Sequence, residues 1–151
     1  MSKGVAKKFD LGEIDQVGYV VKDLDKALPR FEALFGEFSR MDSTTPGTVF
    51  RGRESDVTLK MAFGRSGAVE IELIQPVSGE GPHQEFIDAG NEGAHHVRFR
   101  IDDLDGRLPE LNAAGYETVW YNRFTPEIAW AYLEAPAEEG GGLFELLEMP
   151  S

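Results

Sequence analysis

A short run of residues occurs twice in this chain. Residues 15–25, DQVGYVVKDLD, return 80 positions later as residues 95–105, HHVRFRIDDLD, and Leu28-Pro29 recurs as Leu108-Pro109. A second run, Ile71-Glu72-Leu73-Ile74-Gln75-Pro76, closes the first half, and Phe144-Glu145-Leu146-Leu147-Glu148-Met149-Pro150 closes the second. Internal repetition constrains the fold more than any single propensity, because whatever one half forms the other must form too. Halves of about 60 residues are marginal alone, so the two are expected to share one core.

The pattern inside each half names its elements. Over 14–21 the apolar Val17, Tyr19 and Val21 alternate with Gln16, Gly18 and Val20, which predicts a strand. Asp23 to Asp25 can cap a helix whose stripe is Leu24, Ala27, Leu28, Phe31, Leu34 and Phe35, with Gly36 as the stop. Pro29 is expected near its first turn, where a missing N–H does least harm. Strands are expected at 48–51, 57–63 and 68–75, with 41–47 as a connector and Arg65-Ser66-Gly67 as a hairpin turn. A short helix over 82–89 joins the halves. The second half repeats the order: a strand at 95–101, a helix striped by Leu104, Leu108, Leu111 and Ala114 and ended by Gly115, then strands at 117–121, 129–134 and 143–148. Gly140-Gly141-Gly142 is the last turn. The chain therefore reads as one α+β domain over 1–151: a flexible leader (1–10), a first βαβββ module (11–79), a linker helix (80–92) and a second module (93–150).

Alternation also decides which polar side chains can meet. If Ile71 and Leu73 face the helix, Glu72 faces the other way, and Glu145 does the same between Phe144 and Leu146. Gln16 and His96 sit opposite their apolar neighbours in the same sense. Four polar residues thus occupy matched points of two repeats, all on one side of their strands. A polar residue on a strand's second face is ordinarily solvated; the matching in both halves singles these out. Two carboxylates brought together repel, and a divalent cation relieves that repulsion.

Composition excludes several functions. There is no cysteine, which removes thiol nucleophiles, Fe–S clusters and thiolate zinc sites, and suits a cytoplasmic protein. A net charge of −12 repels phosphate backbones, so nucleic acid is not expected as a partner. No apolar run approaches the ~20 residues of a membrane span, so no membrane partner is expected either.

The stretches IDQVGYVVKDLDKAL, VEIELIQP, GAHHVRFRIDDLD and GGGLFELLE resemble the vicinal oxygen chelate superfamily, which includes glyoxalase I, methylmalonyl-CoA epimerase, extradiol dioxygenases and bleomycin-resistance proteins. The resemblance runs from Ile14 to Met149. It implies a cup-shaped curved mixed sheet built from paired βαβββ modules, with helices on the outer face and a metal at the base. It places the metal ligands on Gln16, Glu72, His96 and Glu145. Most members carry His where this chain has Gln16, and a Gln, Glu, His, Glu set is similar to that of zinc glyoxalase I. Gln16 also argues against an iron dioxygenase, which needs two histidines and one carboxylate.

One imidazole, one amide oxygen and two carboxylates suit zinc, and also nickel, cobalt, manganese or magnesium. Such an ion polarises a bound carbonyl and acidifies the neighbouring C–H, and a carboxylate can then move the proton. The resemblance makes Glu145 the base, with Glu72 a ligand or partner base. The implied function is a metal-dependent isomerase, epimerase or lyase acting on a small carbonyl or thioester, and the implied assembly is a homodimer. The alternative is a non-catalytic or metal-free binder of small molecules on the same fold. Arg98 and Arg100 share the His96 face and are candidates to clamp a substrate anion. Trp130 and Tyr132, with Trp120 and Tyr121, are candidates for an apolar pocket. His95 should alternate away from His96 in a structural role, and His83 has no motif partner.

Overall fold

The computed structural model describes residues 8–150. In chain order the elements are β1 (Ile14–Val20), α1 (Leu24–Phe35), β2 (Ser39–Phe50), β3 (Arg53–Ser66), β4 (Val69–Ser78), α2 (Pro82–Asp88), β5 (Gly93–Arg100), α3 (Leu104–Ala113), β6 (Glu117–Arg123), β7 (Ala129–Glu134) and β8 (Leu143–Glu148). The strands close into a barrel in the order β1-β4-β3-β2-β6-β7-β8-β5. The first strand of each half runs parallel to the last strand of that half, β1 with β4 and β5 with β8, and the other neighbours are antiparallel. Antiparallel pairing of β1 with β5 joins the halves. The opposite seam, β2 with β6, is short and rests on Val49↔Tyr121 and Phe50↔Trp120.

Strand alternation sorts the apolar residues into three clusters. Val17, Tyr19, Ile71 and Leu73 turn outward beneath α1 with Leu24, Leu28 and Phe31. Leu104, Leu111, Leu133 and Leu146 form the equivalent layer beneath α3. Val20, Leu59, Met61, Ile74, Trp120 and Tyr132 fill the barrel itself. Helices lie outside and the interior is left to the second face of each strand, as the repeat implied. The linker helix α2 closes one end of the barrel: its Phe86 and Ile87 pack on the interior cluster, and His83 is buried. Of the expected leader, residues 1–7 lie outside the described residues, while Phe9 packs edge-on against Tyr116 at 6.0 Å.

Two expectations are corrected. Residues 41–47 are not a connector but the middle of β2, whose Thr44 and Thr45 pair with Thr58 and Val57 of β3. Pro46 and Gly47 are absorbed by a bulge, since the pairing resumes at Thr48↔Ser55 and leaves both opposite Asp56. Pro29 is not in the first turn of α1 but is its sixth residue, and Pro109 is the sixth of α3. Each proline deprives the carbonyl four residues earlier of its donor, but those carbonyls belong to Asp25 and Asp105, which are exposed to water.

The same capping device recurs in both modules. Asp23 and Asp103 cap their helices through Lys26 N and Gly106 N. The first helical N–H is then taken by the strand beneath: Leu24 N donates to Gln75 Oε1 and Leu104 N to Glu148 Oε1, each at 2.8 Å. Substituting either acceptor with alanine should cost about 1 kcal/mol of stability, the usual worth of a lost cap. The two should differ with pH. The Arg123 hydrogen bond, then the Leu104 N–H, holds the Glu148 carboxyl below its ordinary range. A depressed folded-state pKa gives a contribution that is full above the unfolded value and is lost as pH falls through the folded one. Urea unfolding at neutral pH and in acid should therefore show the cost of Glu148→Ala shrinking in acid while that of Gln75→Ala does not.

Candidate metal centre

Gln16, Glu72, His96 and Glu145 come together inside the barrel, and all four are buried. They arrive from four adjacent strands: β4 and β1 deliver the first module's pair, β5 and β8 the second's. His96 Nε2 is the centre of the group. It lies 3.2 Å from Gln16 Oε1 and 3.4 Å from both Glu72 Oε1 and Glu145 Oε1. The ligand atoms of Glu72, His96 and Glu145 all lie within 4.8 Å of one another, close enough for the group to hold a single ion whose donors stand about 2.0–2.2 Å away.

Neighbouring residues fix which atoms face inward. Gln16 Nε2 donates to Glu70 Oε1 at 2.7 Å, which turns the amide so that its oxygen points at His96. Glu70 is thus a positioning residue. Gly18 lies directly beneath the imidazole: a Cβ built there would sit 2.1 Å from His96 Cε1 and 2.4 Å from Nε2. A glycine at this point of β1 is the space the ring occupies.

A cation would relieve the electrostatics of this group. Glu72 Oε1 is buried without a hydrogen-bond partner among the described residues. Burial pushes the Glu145 carboxyl up to about 7, with His96 opposing the shift and Glu72 adding to it. Two such carboxylates with an amide oxygen and an imidazole are a hard donor set that fits a divalent ion. With an ion present, His96 Nε2 must offer its lone pair, so its proton sits on Nδ1, 2.9 Å from His95 Nδ1. Burial, then His96, lowers the His95 pKa to about 3, which keeps that ring a neutral acceptor.

His95, expected to alternate away in a structural role, and His83, which has no motif partner in the sequence, both stand beside the group. The β1–β5 register passes from Gly18↔His96 to Tyr19↔Ala94, so His95 is a bulged residue and escapes the alternation that should have turned it away. His83, carried in by α2, meets the Tyr132 hydroxyl at 3.1 Å, and that hydroxyl lies 3.5 Å from His96 Nε2. Nothing in a single histidine on a seven-residue helix marks it as buried beside the site.

A cavity of about 310 Å³ lies against the two glutamates of the group. Its floor is Glu72, Glu145, Tyr132 and Arg98, and its walls include Leu59, Met61, Phe63, Trp120 and Trp130. Trp130 and Tyr132 both line it. Arg98 lines the cavity but is held by Asp15 at 2.8 and 3.2 Å, with Glu70 at 3.7 Å. Arg100 does not line it. At the end of β5 it donates to the Met149 and Pro150 carbonyls, 3.4 and 2.6 Å away, apart from the cavity where a clamp was expected. A larger hollow of about 400 Å³ lies elsewhere, against Phe9, Tyr116 and Phe144, and holds none of these groups.

Comparison with known proteins agrees with this architecture. Residues 15–130 match the family model of the Glyoxalase/Bleomycin resistance protein/Dioxygenase superfamily. An uncharacterised protein of Bacillus subtilis is 25% identical over 142 residues, covering 91% of this chain and 93% of that protein. Methylmalonyl-CoA epimerase from Mycobacterium tuberculosis superposes with a TM-score of 0.63 at 23% identity, over 91% of this chain and 88% of that one. A variant of the Streptomyces coelicolor epimerase in complex with 2-nitronate-propionyl-CoA gives 0.66 at 22%, over 94% and 97%. At these identities the structural likeness speaks for the fold alone. No helix among the described residues is long and apolar enough to cross a membrane.

Proposed function

The chain belongs to the glyoxalase/bleomycin resistance protein/dioxygenase superfamily, and from that premise we propose that it is a divalent-metal-dependent enzyme moving a proton next to a substrate carbonyl. The observation that carries the reading is the convergence of Gln16, Glu72, His96 and Glu145, with the two glutamates lining a largely apolar cavity. These four residues would hold the ion, zinc being the best match to the donor set. When bound, the ion supplies a Lewis acid that polarises the carbonyl and acidifies the adjacent C–H.

The remaining work falls to the chain's own side chains. Glu145 takes the proton from the carbon and returns it, with Tyr132, its cross-strand partner on β7, at its side. Glu70 keeps the Gln16 oxygen aimed inward, and the apolar walls exclude water while the charge is displaced. Glu72 and Glu145 are the only carboxylates lining the cavity among the described residues, and both sit at the same end. Either carboxylate could therefore reach the carbon beside a carbonyl held at that end. A homodimer and a cytoplasmic location, as the resemblance and composition imply, belong to the same proposal.

Zinc-loaded protein incubated in D2O with a panel of α-hydroxy and α-keto carbonyl compounds should exchange the α-proton of at least one, as followed by proton NMR. A chelator should stop the exchange, and added zinc should restore it. Exchange that continues undiminished after complete metal removal would refute the reading. Ligand binding that survives chelation, with no exchange at all, would mark the metal-free binder instead.

A further inference from the structure

We propose that the cavity selects a small uncharged carbonyl compound with an aromatic or bulky apolar body, and turns away substrates whose far end is anionic, coenzyme A thioesters included. The proposal rests on the proton-transfer reading above and specifies its substrate.

The cavity has a single polar end. Above the carboxylates the wall runs Trp120, Trp130, Phe124, with ring centroids 6.0 Å apart at each step. Leu59, Met61 and Phe63 complete the enclosure. Two large apolar side chains stand at the mouth, Phe124 at 57% and Met41 at 53% exposure, where solubility alone would favour polar groups. The polar side chains along β2, Ser43, Thr44 and Thr45, are neutral hydroxyls. Such a surface matches a flat ring or hydrocarbon body whose oxygen reaches the floor.

The cation inventory points the same way. Arg98 is the one cation lining the cavity among the described residues, and Asp15 and Glu70 already neutralise it. Arg51 is held by Glu85 and Glu134, and Arg123 by Asp105 and Glu148. Inside the cavity an incoming phosphate would meet only a guanidinium already paired with carboxylates, against the field of a chain with net charge −12. At about 310 Å³ the cavity is at the small end of ligand sites, which run from roughly 300 to 1,000 Å³, so a nucleotide tail would lie outside on that acidic surface.

Tryptophan fluorescence of the zinc-loaded protein reads binding directly, since Trp120 and Trp130 line the cavity. Benzohydroxamate and acetohydroxamate offer the same pair of oxygens on a phenyl or a methyl body. Benzohydroxamate should bind about ten-fold or more tighter, the gain from burying a ring. Its affinity should change less than about two-fold between roughly 0.05 and 0.5 M salt. Propionyl-CoA should not displace it. Phe124→Ala, at an exposed position that leaves the core intact, and Trp130→Ala should each narrow the gap between the hydroxamates.

Equal affinity for the two hydroxamates, or displacement by propionyl-CoA that weakens with salt, overturns the proposal. If neither hydroxamate binds and zinc itself is not retained, the metal-assisted reading fails. Selectivity is then read on the metal-free protein with acetophenone against acetone. A preference of about ten-fold for the aromatic ketone sustains the proposal, and equal affinity ends it.

Discussion

Glu145→Gln is expected to slow proton exchange by about 10²–10⁴-fold, the usual contribution of a positioned general base, while leaving the barrel folded. Glutamine keeps the shape of the side chain and removes a buried negative charge that Glu72 disfavours, so the metal-free variant should melt no lower than the parent. The substitution also weakens a ligand, and the two effects must be separated. Glu72→Gln provides the control: it too should lower zinc affinity, but it should recover much of its exchange at saturating zinc. Glu145→Gln should not recover. Rates measured across a zinc titration, with melting curves alongside, decide the matter. An E145Q protein that exchanges like the parent at saturating metal would remove Glu145 as the base.

Gly18→Ala should be the most damaging single-methyl change in the chain for the site. The added carbon would fall 2.1 Å from His96 Cε1 and 2.7 Å from Nδ1, closer than non-bonded atoms tolerate. Either the ring turns out of the group or β1 moves away from β5, and β1 carries Gln16 two residues earlier. Both routes break the shell, so zinc affinity should drop by more than the ~10–100-fold typical of losing a supporting contact. Overpacking of this kind costs about 1–3 kcal/mol, enough to lower the melting temperature without unfolding the protein at room temperature. Isothermal titration with zinc and thermal unfolding test the two parts separately. A variant that binds zinc as the parent does would show that the ring does not need that space.

Much of this was legible in the sequence, for a definite reason. Period-two alternation in β1, β4, β5 and β8 sets the inward face, and repetition of the pattern at matched points exposed Gln16, Glu72, His96 and Glu145 as a group. The parts that escaped are where the alternation is interrupted or says nothing. The bulge at Pro46-Gly47 disguised a long strand as a loop. The bulge at His95 turned a residue inward that strict alternation sends out. Arg100 obeys the alternation yet lies beyond the cavity, because facing inward does not say how far along the barrel a side chain stands. Arg98 stands in the right place, but its charge is already answered by Asp15, a partner 83 positions away in the chain.

That last ambiguity gives the helix caps a second meaning. A strand shifted by two residues keeps every side chain on its proper face, so burial cannot detect the error, although each glutamate would travel a full pleat along the barrel. Gln75 and Glu148 break this degeneracy. Each stands three residues beyond the glutamate of its own strand and meets one particular N–H, on Leu24 or Leu104. A slipped strand would leave that N–H unanswered. The caps act as end-stops on a sliding rule: the core chooses the side of the strand, the stop chooses the graduation, and two carboxylates from distant parts of the chain come to rest at the same height.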